Sequence, residues 1–558
     1  MSAMEIHFLG AANTVTGSQF LLITDRAKVL IDCGMFQGGP HEVVRNHVPL
    51  AYDPATLDAI VLTHAHLDHC GLIPHIVAEG YGGPIYATKG TIELAGLVLL
   101  DSGKLQEEFA KRQRHWALKH PDQAAREDQQ KEQEIERQEQ LAEQEDNGGL
   151  KPGDPLPAGG VVASGVDELT LRDEQGMGTR MGLPPFGHPN HDAAMTGNPA
   201  QPNLVLEAPL YDLQQAQGAL THFRPVGYET PMEVAPGITA VFHDAGHILG
   251  SSIVELRVAA QTDLPPRTLI FSGDLGRTDA PILRDPTAIL EADYVLVEST
   301  YGGREHEPEE DSLTQLEKAI KDVAAENGVL LIPAFAIGRT QEIVWALSHL
   351  LDAGRIPKIK LYLDSPMASK ASTIYREHTD YYDSETLALL NKGEGPIDYP
   401  DQRETPLPAD SQRVDVATRP YVLVASNGML TGGRVLGHLR RLIGDTKAMI
   451  LFVGYQGEGT LGARLQAGLE SARIEGQEYK VRCAVRSISG FSAHADEPGL
   501  LAWLGHFIEG RKAGDPGVPK RVFIVHGDPD AQLALEPKVQ ALGLSTLAPH
   551  WHQRVVLD

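Results

Sequence analysis

The sequence predicts an α/β protein made of two folded units, one of which interrupts the other. Near both ends of the chain, short apolar strands are joined by polar turns. From about residue 329 a different pattern follows, in which apolar strands alternate with glycine-containing turns and helices, as in an open parallel sheet. The chain has 558 residues, well above the roughly 100–200 of one domain, so its length also predicts more than one unit.

Two patterns of apolar residues identify the strands of the first unit. EIHFLG and SQFLLIT alternate polar and apolar residues, whereas KVLID and AIVLTH are near-continuous apolar runs, typical of strands covered on both faces. Strand patterns return in ITAVFHDAGH, SSIVELRV, RTLIFSGD and YVLVEST. At the end of the chain, VFIVHGDPD, a short helix and a last strand resume this style, which indicates that the first unit closes there.

The second unit is recognised by strands that lead into polar turns and helices. GVLLIPAFAIGRTQEIVWALSHLL reads as a strand, a turn and a helix with Ile343, Ala346, Leu347 and Leu350 at helical spacing. IKLYLDS, YVLVASNGMLTGG and AMILFVGYQGEG repeat the strand and the turn. We therefore expect a second parallel α/β sheet.

Residues 104–207 read as an acidic insertion in the first unit. Residues 105–118 have apolar side chains at helical spacing, and Pro121 then interrupts the pattern. Residues 122–146 are almost entirely Gln, Glu, Lys and Arg, and a Gly/Pro-rich stretch follows. The segment holds 11 basic and 19 acidic residues. Such a composition allows a solvated helix but little burial, and it favours a mobile surface segment.

Composition excludes several classes of protein. With 42% hydrophobic and 22% charged residues, the chain is neither a coiled coil, a collagen-like fibre nor a wholly disordered polypeptide. No run approaches the roughly 18 apolar residues of a membrane span, and no basic leader with an apolar core begins the chain. Three cysteines cannot form a disulfide framework, so we expect a cytoplasmic protein. The net charge of −27 opposes nucleic-acid binding, which normally uses a basic surface.

The strongest chemical signal is the cluster His64, His66, Asp68 and His69, directly after the apolar strand AIVLT. Three imidazoles and a carboxylate at the end of a buried strand are costly unless something pairs them. Imidazole and carboxylate are both ligands of zinc. Since these residues cannot all face one ion, we expect His64 and His66 to serve one metal and Asp68 and His69 another.

Two later strand ends repeat this logic. His247 lies in a glycine-rich turn, and Asp274 closes the strand RTLIFSGD. Open α/β sheets place their sites at such strand ends. A bridging carboxylate such as Asp274 would hold two metals about 3.5–4 Å apart. Asp32, at the end of KVLID, fits better as a group that orients a ligand histidine.

These motifs together resemble the metallo-β-lactamase superfamily. VEST with Glu298, SGFSAHAD with His494 and VFIVHGD with His526 resemble motifs A, B and C of its β-CASP branch, which contains ribonuclease J and a subunit of the cleavage and polyadenylation specificity factor. The resemblance spans nearly the whole chain outside residues 104–207. It implies a metallo-β-lactamase αββα sandwich over residues 1–302 and 487–558, with a β-CASP α/β domain inserted at residues 303–486.

The resemblance also implies two Zn²⁺ ions and the roles of the site residues. Asp68, His494 and Glu298 would be catalytic, with His494 donating a proton to the leaving oxygen and Glu298 holding it. Ser492 and Arg339 are weaker candidates for substrate binding. Ser492 lies two residues before His494 and could contact the scissile phosphate, and Arg339 lies in a strand-to-helix turn that could bind a phosphate or simply be structural. One zinc is expected on His64, His66 and His247 and the other on Asp68, His69 and His526, with Asp274 bridging them.

The expected activity is hydrolysis of RNA phosphodiester bonds, mainly endonucleolytic, by a hydroxide that bridges the metals, leaving 5′-phosphate and 3′-hydroxyl ends. The two dications would attract single-stranded RNA locally despite the acidic net charge. Alternatives are a DNA-processing nuclease, disfavoured by His526 because the DNA-acting branch typically lacks this histidine, a small ester or lactam hydrolase, and a non-catalytic RNA-processing subunit. No membrane partner is expected, and homodimerisation stays open.

Overall fold

The computed structural model describes residues 4–146, 209–260, 264–454, 456–457 and 459–558. Two seven-stranded sheets pack face to face, and a third, six-stranded sheet forms a separate unit. The predicted α/β architecture, a two-sheet sandwich with a second α/β unit inserted in it, is confirmed. Among the described residues no helix combines the length and apolar character needed to cross a membrane.

The first sheet joins the two ends of the chain. Strands are numbered along the chain, and their spatial order in this sheet is β22 (Arg554–Leu557), β1 (Met4–Phe8), β2 (Phe20–Ile23), β3 (Lys28–Ile31), β4 (Ala59–Val61), β5 (Ile85–Thr88) and β6 (Phe223–Val226). β3, β4, β5 and β6 pair in parallel, so they end at one edge of the sheet.

The second sheet faces the first across a core of large apolar side chains. Its order is β21 (Thr546–Leu547), β20 (Arg521–Ile524), β11 (Tyr294–Val297), β10 (Arg267–Phe271), β9 (Ser252–Val258), β8 (Ile238–Asp244) and β7 (Met232–Ala235). Phe8 lies 5.2 Å from Phe523 between ring centroids, and Phe20 lies 6.2 Å from Phe271. These ring contacts fix the spacing of the two sheets.

Helices cover the outer face of each sheet and complete the αββα sandwich. The first part of the chain supplies α1 (Pro40–Val43), α2 (Leu67–Cys70), α3 (Ile73–Ala78), α4 (Lys89–Lys119), α5 (Pro121–Asp146) and α6 (Leu213–Ala219). α3 and α4 bury Ile76 and Leu94 against the first sheet. The end of the chain supplies α14 (Glu497–Gly505) and α15 (Pro529–Ala541), which cover the second sheet.

The inserted unit is the parallel sheet that the sequence predicts. Its order is β14 (Gln402–Glu404), β13 (Lys360–Asp364), β15 (Tyr421–Ala425), β12 (Val329–Pro333), β16 (Ala448–Phe452) and β19 (Ala484–Ser487), and a hairpin of β17 (Ser471–Ile474) and β18 (Gln477–Lys480) lies apart from it. Every residue of β12, β15 and β16 is buried, in keeping with their continuous apolar runs.

The helices of this unit lie on both faces of its sheet. They are α7 (Glu309–Ala325), α8 (Arg339–Asp352), α9 (Pro366–Glu377), α10 (Ser384–Asn391), α11 (Pro408–Val414), α12 (Arg434–Leu442) and α13 (Leu461–Gln466). α7 and α8 share one apolar core with the sheet, and α12 belongs to the core on the opposite face.

The predicted insertion begins as ordinary structure. Residue 104 falls inside α4, and the later turns of this helix hold α6, because the backbone N–H of Leu213 donates to Glu107 at 2.9 Å. α5 forms the solvated helix that its composition allows. It contacts the turn Val44–His47, where Arg45 donates to Gln138 at 3.3 Å. The rest of the expected insertion, residues 147–207, lies outside the described residues.

Candidate active site

The candidate residues meet at the edge where strands of both sandwich sheets end. His64, His66, Asp68 and His69 follow β4, and Asp274 follows β10. His247 lies in the turn between β8 and β9, Glu298 directly follows β11, and His526 comes two residues after β20. Since β3 pairs in parallel with β4, and β11 with β20, residues distant in sequence reach one place.

The first group of side chains comprises His64, His66, His247 and Asp274. His64 Nε2 lies 3.1 Å from His66 Nδ1, and His247 Nε2 lies 3.2 Å from the same nitrogen. Three imidazole nitrogens therefore converge on one point. His64, His247 and Asp274 are buried, and His66 is partly exposed. This point is therefore largely closed to water.

The second group comprises Asp68, His69 and His526. His69 Nε2 lies 3.1 Å from His526 Nε2, and Asp68 Oδ2 lies 3.7 Å from His526 Nε2. Both histidines are buried, and the carboxylate of Asp68 is partly exposed. The two groups of donors match the two sets expected from the sequence.

Asp274 lies between the groups and presents one carboxylate oxygen to each. Its Oδ2 lies 3.4 Å from His64 Nε2 and 3.5 Å from His247 Nε2. Its Oδ1 lies 3.3 Å from His69 Nε2. Oδ1 is buried and has no hydrogen-bond partner among the described residues. A buried carboxylate oxygen without a partner is costly unless it has a cation to bind.

The spacing of these donors fits divalent metal ions. Two nitrogens bound to one tetrahedral zinc at about 2.0–2.1 Å lie about 3.4 Å apart. The facing nitrogens here are 3.1–3.2 Å apart, and the nitrogen-to-carboxylate distances are 3.3–3.5 Å. Imidazole nitrogens that face one another at this distance need a cation or a shared proton between them.

Burial and neighbouring charge set the protonation of the imidazoles. Burial and the charge of His64 lower the pKa of His66 to about 3. Burial and His494 hold the pKa of His247 well below its usual value. Both rings are therefore neutral at pH 7, which is the form that binds metals. Burial would also lower the pKa of His69, but the carboxylates of Asp274 and Asp32 outweigh it and raise that pKa.

Asp32 orients the second group of ligands. Its Oδ2 lies 2.7 Å from His69 Nδ1, and its Oδ1 accepts a hydrogen bond from the backbone N–H of Thr63 at 2.8 Å. The Thr63 hydroxyl lies 3.0 Å from both oxygens of Asp32 and 3.1 Å from His64 Nδ1. One buried carboxylate and one hydroxyl therefore align a histidine in each group, as expected for supports of a metal site.

A glycine allows Asp274 to approach the other ligands. Gly273 has φ +55°, a left-handed conformation that favours glycine, and a Cβ there would lie 3.0 Å from the side chain of Thr63. On the other side of the site, the Thr300 hydroxyl lies 3.3 Å from His526 Nδ1. Thr63 and Thr300 thus contact one histidine in each group, His64 and His526.

His494 lies beside the two groups and belongs to neither. Its Nδ1 is 3.1 Å from both oxygens of Glu298 and 3.9 Å from Asp274 Oδ2. Glu298 is fully buried and is itself fixed by the backbone N–H of Leu275 at 2.7 Å. Burial would lower the pKa of His494, but the charges of Glu298 and Asp274 raise it to about 9. The ring therefore carries a proton at pH 7.

The two weaker candidates, Ser492 and Arg339, lie in different settings. The Ser492 hydroxyl accepts a hydrogen bond from the backbone N–H of His494 at 3.3 Å. Arg339 is buried at the start of α8, where its Nη1 lies 2.5 Å from Glu342. Arg277, which follows Asp274 by three residues, contacts the other oxygen of Glu342 at 2.6 Å. Arg339 is thus part of an ion cluster that joins the two units.

Sequence comparisons match three successive parts of the chain. The profile of the metallo-beta-lactamase superfamily matches residues 13–196, that of the Beta-Casp domain matches residues 340–465, and that of the Zn-dependent metallo-hydrolase RNA specificity domain matches residues 478–549. The chain is 32% identical over 533 residues to ribonuclease TTHA0252 of Thermus thermophilus, and the alignment covers 95% of each chain.

The chain belongs to the β-CASP branch of the metallo-β-lactamase superfamily. It is also 28% identical to the transcription termination factor FttA of Methanosarcina mazei, over 96% of this chain and 69% of that protein. The FttA protein of Pyrococcus horikoshii is 26% identical, over 98% of this chain and 70% of its own length.

As a β-CASP protein, the chain is a metal-dependent hydrolase. Its family binds divalent metal ions, and the His/Asp cluster offers the donors for them. The motifs of the sequence located every cluster member because buried imidazoles and carboxylates in close succession are rare. They did not reveal Thr63 and Thr300, whose hydroxyls are ordinary in any strand end. The only available signal was their position beside the motif residues His64 and Glu298.

Proposed function

We propose that this β-CASP protein is a zinc-dependent ribonuclease. It would hydrolyse RNA phosphodiester bonds, mainly within the strand, and leave 5′-phosphate and 3′-hydroxyl ends. The observation that carries this proposal is the position of Asp274 between two groups of imidazoles, with the His494–Glu298 pair beside them. The names of the ribonuclease relative and of the RNA specificity domain support RNA as the substrate.

The proposed ligands are the seven residues of the two groups. One zinc would bind His64, His66 and His247, a second would bind Asp68, His69 and His526, and Asp274 would bridge them. When bound, two such ions neutralise phosphate charge and lower the pKa of a bound water to about 7. This local positive charge also explains how a chain of net charge −27 could attract RNA.

The chain's own groups would hold and move protons around the scissile bond. His494 keeps Nδ1 directed at Glu298, so its Nε2 is the atom that can donate a proton to the leaving 3′-oxygen. Glu298 is the positioning residue for this ring. Asp68, the more exposed carboxylate of the cluster, is proposed to act on the attacking water in addition to binding metal.

The supporting residues would place the RNA. Asp32 orients His69, and Ser492 lies where its hydroxyl could reach a phosphate next to His494. Arg339 is proposed to contribute positive charge to the cleft that holds the RNA.

Cytoplasmic location is proposed from the three cysteines, all buried and unpaired. Homodimerisation remains a proposal that sedimentation would test.

Cleavage of end-labelled nucleic acids tests the function. RNA and single-stranded DNA, labelled at either end, are incubated with zinc-loaded protein, and the product ends are identified. We expect internal cuts in RNA. The downstream product should carry a 5′-phosphate, and the upstream product should carry a 3′-hydroxyl. Preferential cutting of DNA, or products with a 3′-phosphate, would contradict the proposal. The Asp274→Ala variant, purified identically, controls for contaminating ribonucleases.

A further inference from the structure

The β-CASP sheet has a crevice at the carboxyl ends of β12 and β15. β12 is followed by α8 and the adjacent β15 by α12, and these helices pack on opposite faces of the sheet. The loops after the two strands must therefore diverge at the carboxyl edge. In open α/β sheets, ligands bind in the crevice that such divergence creates.

This crevice lies against the candidate active site. Gly338, in the loop after β12, has φ +76°, and a Cβ there would lie 2.8 Å from the side chain of Ile248. Ile248 directly follows the proposed ligand His247. The loop after β12 is therefore a wall of the catalytic cleft.

Phe335 stands in this loop with much of its ring in solvent. It is 37% exposed, and it is the one phenylalanine among the exposed large apolar side chains of the described residues. Its ring lies against Gly428 of the loop after β15, where a Cβ would come within 3.3 Å of the ring. A single exposed apolar residue is ordinary on a protein surface. This one lies at the switch point of a sheet, in the same loop as Gly338, which packs against Ile248.

Hydrogen bonds from the start of α8 fix the backbone around Phe335. The carbonyl of Phe335 accepts hydrogen bonds from the N–H of Thr340 at 3.2 Å and from its hydroxyl at 2.7 Å. Gln341 donates to the carbonyl of Ala336 at 3.2 Å. The first turn of α8 thus holds the loop that carries the ring.

A buried arginine follows Phe335 by four residues, at the start of α8. Arg339 and Arg277 share the carboxylate of Glu342. Arg339 is 93% buried, being 7% exposed, and its Nε has no hydrogen-bond partner among the described residues. An aromatic face with a cation nearby is the combination that binds single-stranded nucleic acid, because every base offers a face for stacking.

We propose that Phe335 is a stacking platform for one unpaired base of the RNA, close to the bond that is cut. This inference rests on the proposed ribonuclease function and adds a binding residue to it. The platform would favour unpaired over paired RNA, since a base inside a helix cannot lie flat on the ring. It would show little preference among the four bases.

Substitution of Phe335 tests the platform directly. Phe335→Ala should raise the KM for a short unpaired RNA by about 5- to 150-fold and leave kcat nearly unchanged, as expected for one lost stacking contact. Phe335→Trp should keep the wild-type KM. Phe335→Leu fills the space without an aromatic face and should behave like Ala. Val416→Ala is the matched control, because Val416 is 85% exposed and precedes β15 at the opposite edge of the sheet.

A second measurement locates the base. Substrates in which one nucleotide at a time is abasic should show a raised KM at a single position near the cut, and Phe335→Ala should abolish that difference. An unchanged KM for Phe335→Ala, wild-type behaviour of Phe335→Leu, or equal effects at every abasic position would overturn the platform. Those results leave the ribonuclease function intact. Failure of the wild-type protein to cut any RNA would instead refute the function on which the inference rests.

Discussion

Single residues at the candidate site differ in what they contact, and His494 and Asp274 differ most clearly. His494 directs Nδ1 at the carboxylate of Glu298 and lies beside the first group, whereas Asp274 presents one oxygen to each group. The first arrangement suits a proton donor, and the second suits a bridge. Substitution of each residue should therefore produce a different loss.

For His494→Ala we expect both metals to remain and RNA cleavage to slow by about 10²–10⁴-fold, the usual contribution of a positioned proton donor. A p-nitrophenyl phosphodiester, whose leaving group needs no proton, should be much less affected. Rates on both substrates and metal content by elemental analysis check this. His526→Ala is the comparison and should slow both substrates while weakening one metal. Equal losses on both substrates for His494→Ala would remove its role as the acid.

For Asp274→Ala we expect the loss of both metals, because each carboxylate oxygen faces a different group. Asp68→Ala should weaken only the second metal, since Asp68 contacts His526 and lies in the second group alone. Metal content after gel filtration distinguishes the two variants. Retention of both metals by Asp274→Ala would show that it does not bridge them.

At this scale the sequence predicted residues whose burial is chemically expensive. HAHLDH could be interpreted because imidazoles and carboxylates at a buried strand end need a partner. Phe335 and Thr63 escaped prediction for the opposite reason, since a phenylalanine or a threonine near a strand end is ordinary. Their positions depend on which loops meet, and that depends on tertiary structure.

Among the elements, the carboxyl edge of β13 carries a buried ionic cluster. Asp364 ends β13 and lies 2.5 Å from His438 Nε2 on α12, and Arg434 donates to it at 2.7 Å. The other ring nitrogen of His438 lies 3.1 Å from Asp415. Burial would lower the pKa of His438, but hydrogen bonds to the two aspartates raise it. This cluster fastens α12 to the sheet.

The cluster predicts a pH-dependent stability. Because the folded-state pKa of His438 is raised, its contribution is complete below the unfolded value of about 6.5 and is lost as pH rises through the folded value. His438→Gln should lower the free energy of unfolding by about 1–3 kcal/mol at pH 6 and by less at pH 9. Urea unfolding at both pH values checks this. The exposed His349→Gln is the control, and a loss independent of pH would contradict the prediction.

Helices α4 and α5 require different treatment in a deletion. Replacing residues 121–208 with a Gly/Ser linker should leave the metal content unchanged, since α5 contacts the turn Val44–His47 and none of the proposed ligands. Deletion from residue 104 would also remove Glu107 and loosen α6, so it should lower the melting temperature further. Elemental analysis and thermal melts compare the two proteins. Loss of metal from the folded shorter deletion would show that α5 supports the site.

At the scale of the whole molecule, the sequence predicts the architecture more closely than the residue at which the acidic insertion begins. Continuous apolar runs such as AIVLTH and YVLVEST became fully buried strands, because parallel strands covered on both faces have no polar side. The predicted insertion begins inside the long helix α4, because the change to a more polar composition after residue 104 does not end the helical spacing of residues 105–118. What holds the later turns of α4 is α6, more than ninety residues away along the chain.

We propose that this fold needs two bound zinc ions to cleave RNA. The most direct test titrates metal-depleted protein with zinc and follows bound metal and cleavage of labelled RNA in the same samples. We expect two zinc ions per chain and cleavage that becomes complete only as the second ion binds. Full cleavage with no more than one tightly bound metal, or two bound zinc ions without RNA cleavage, would contradict it.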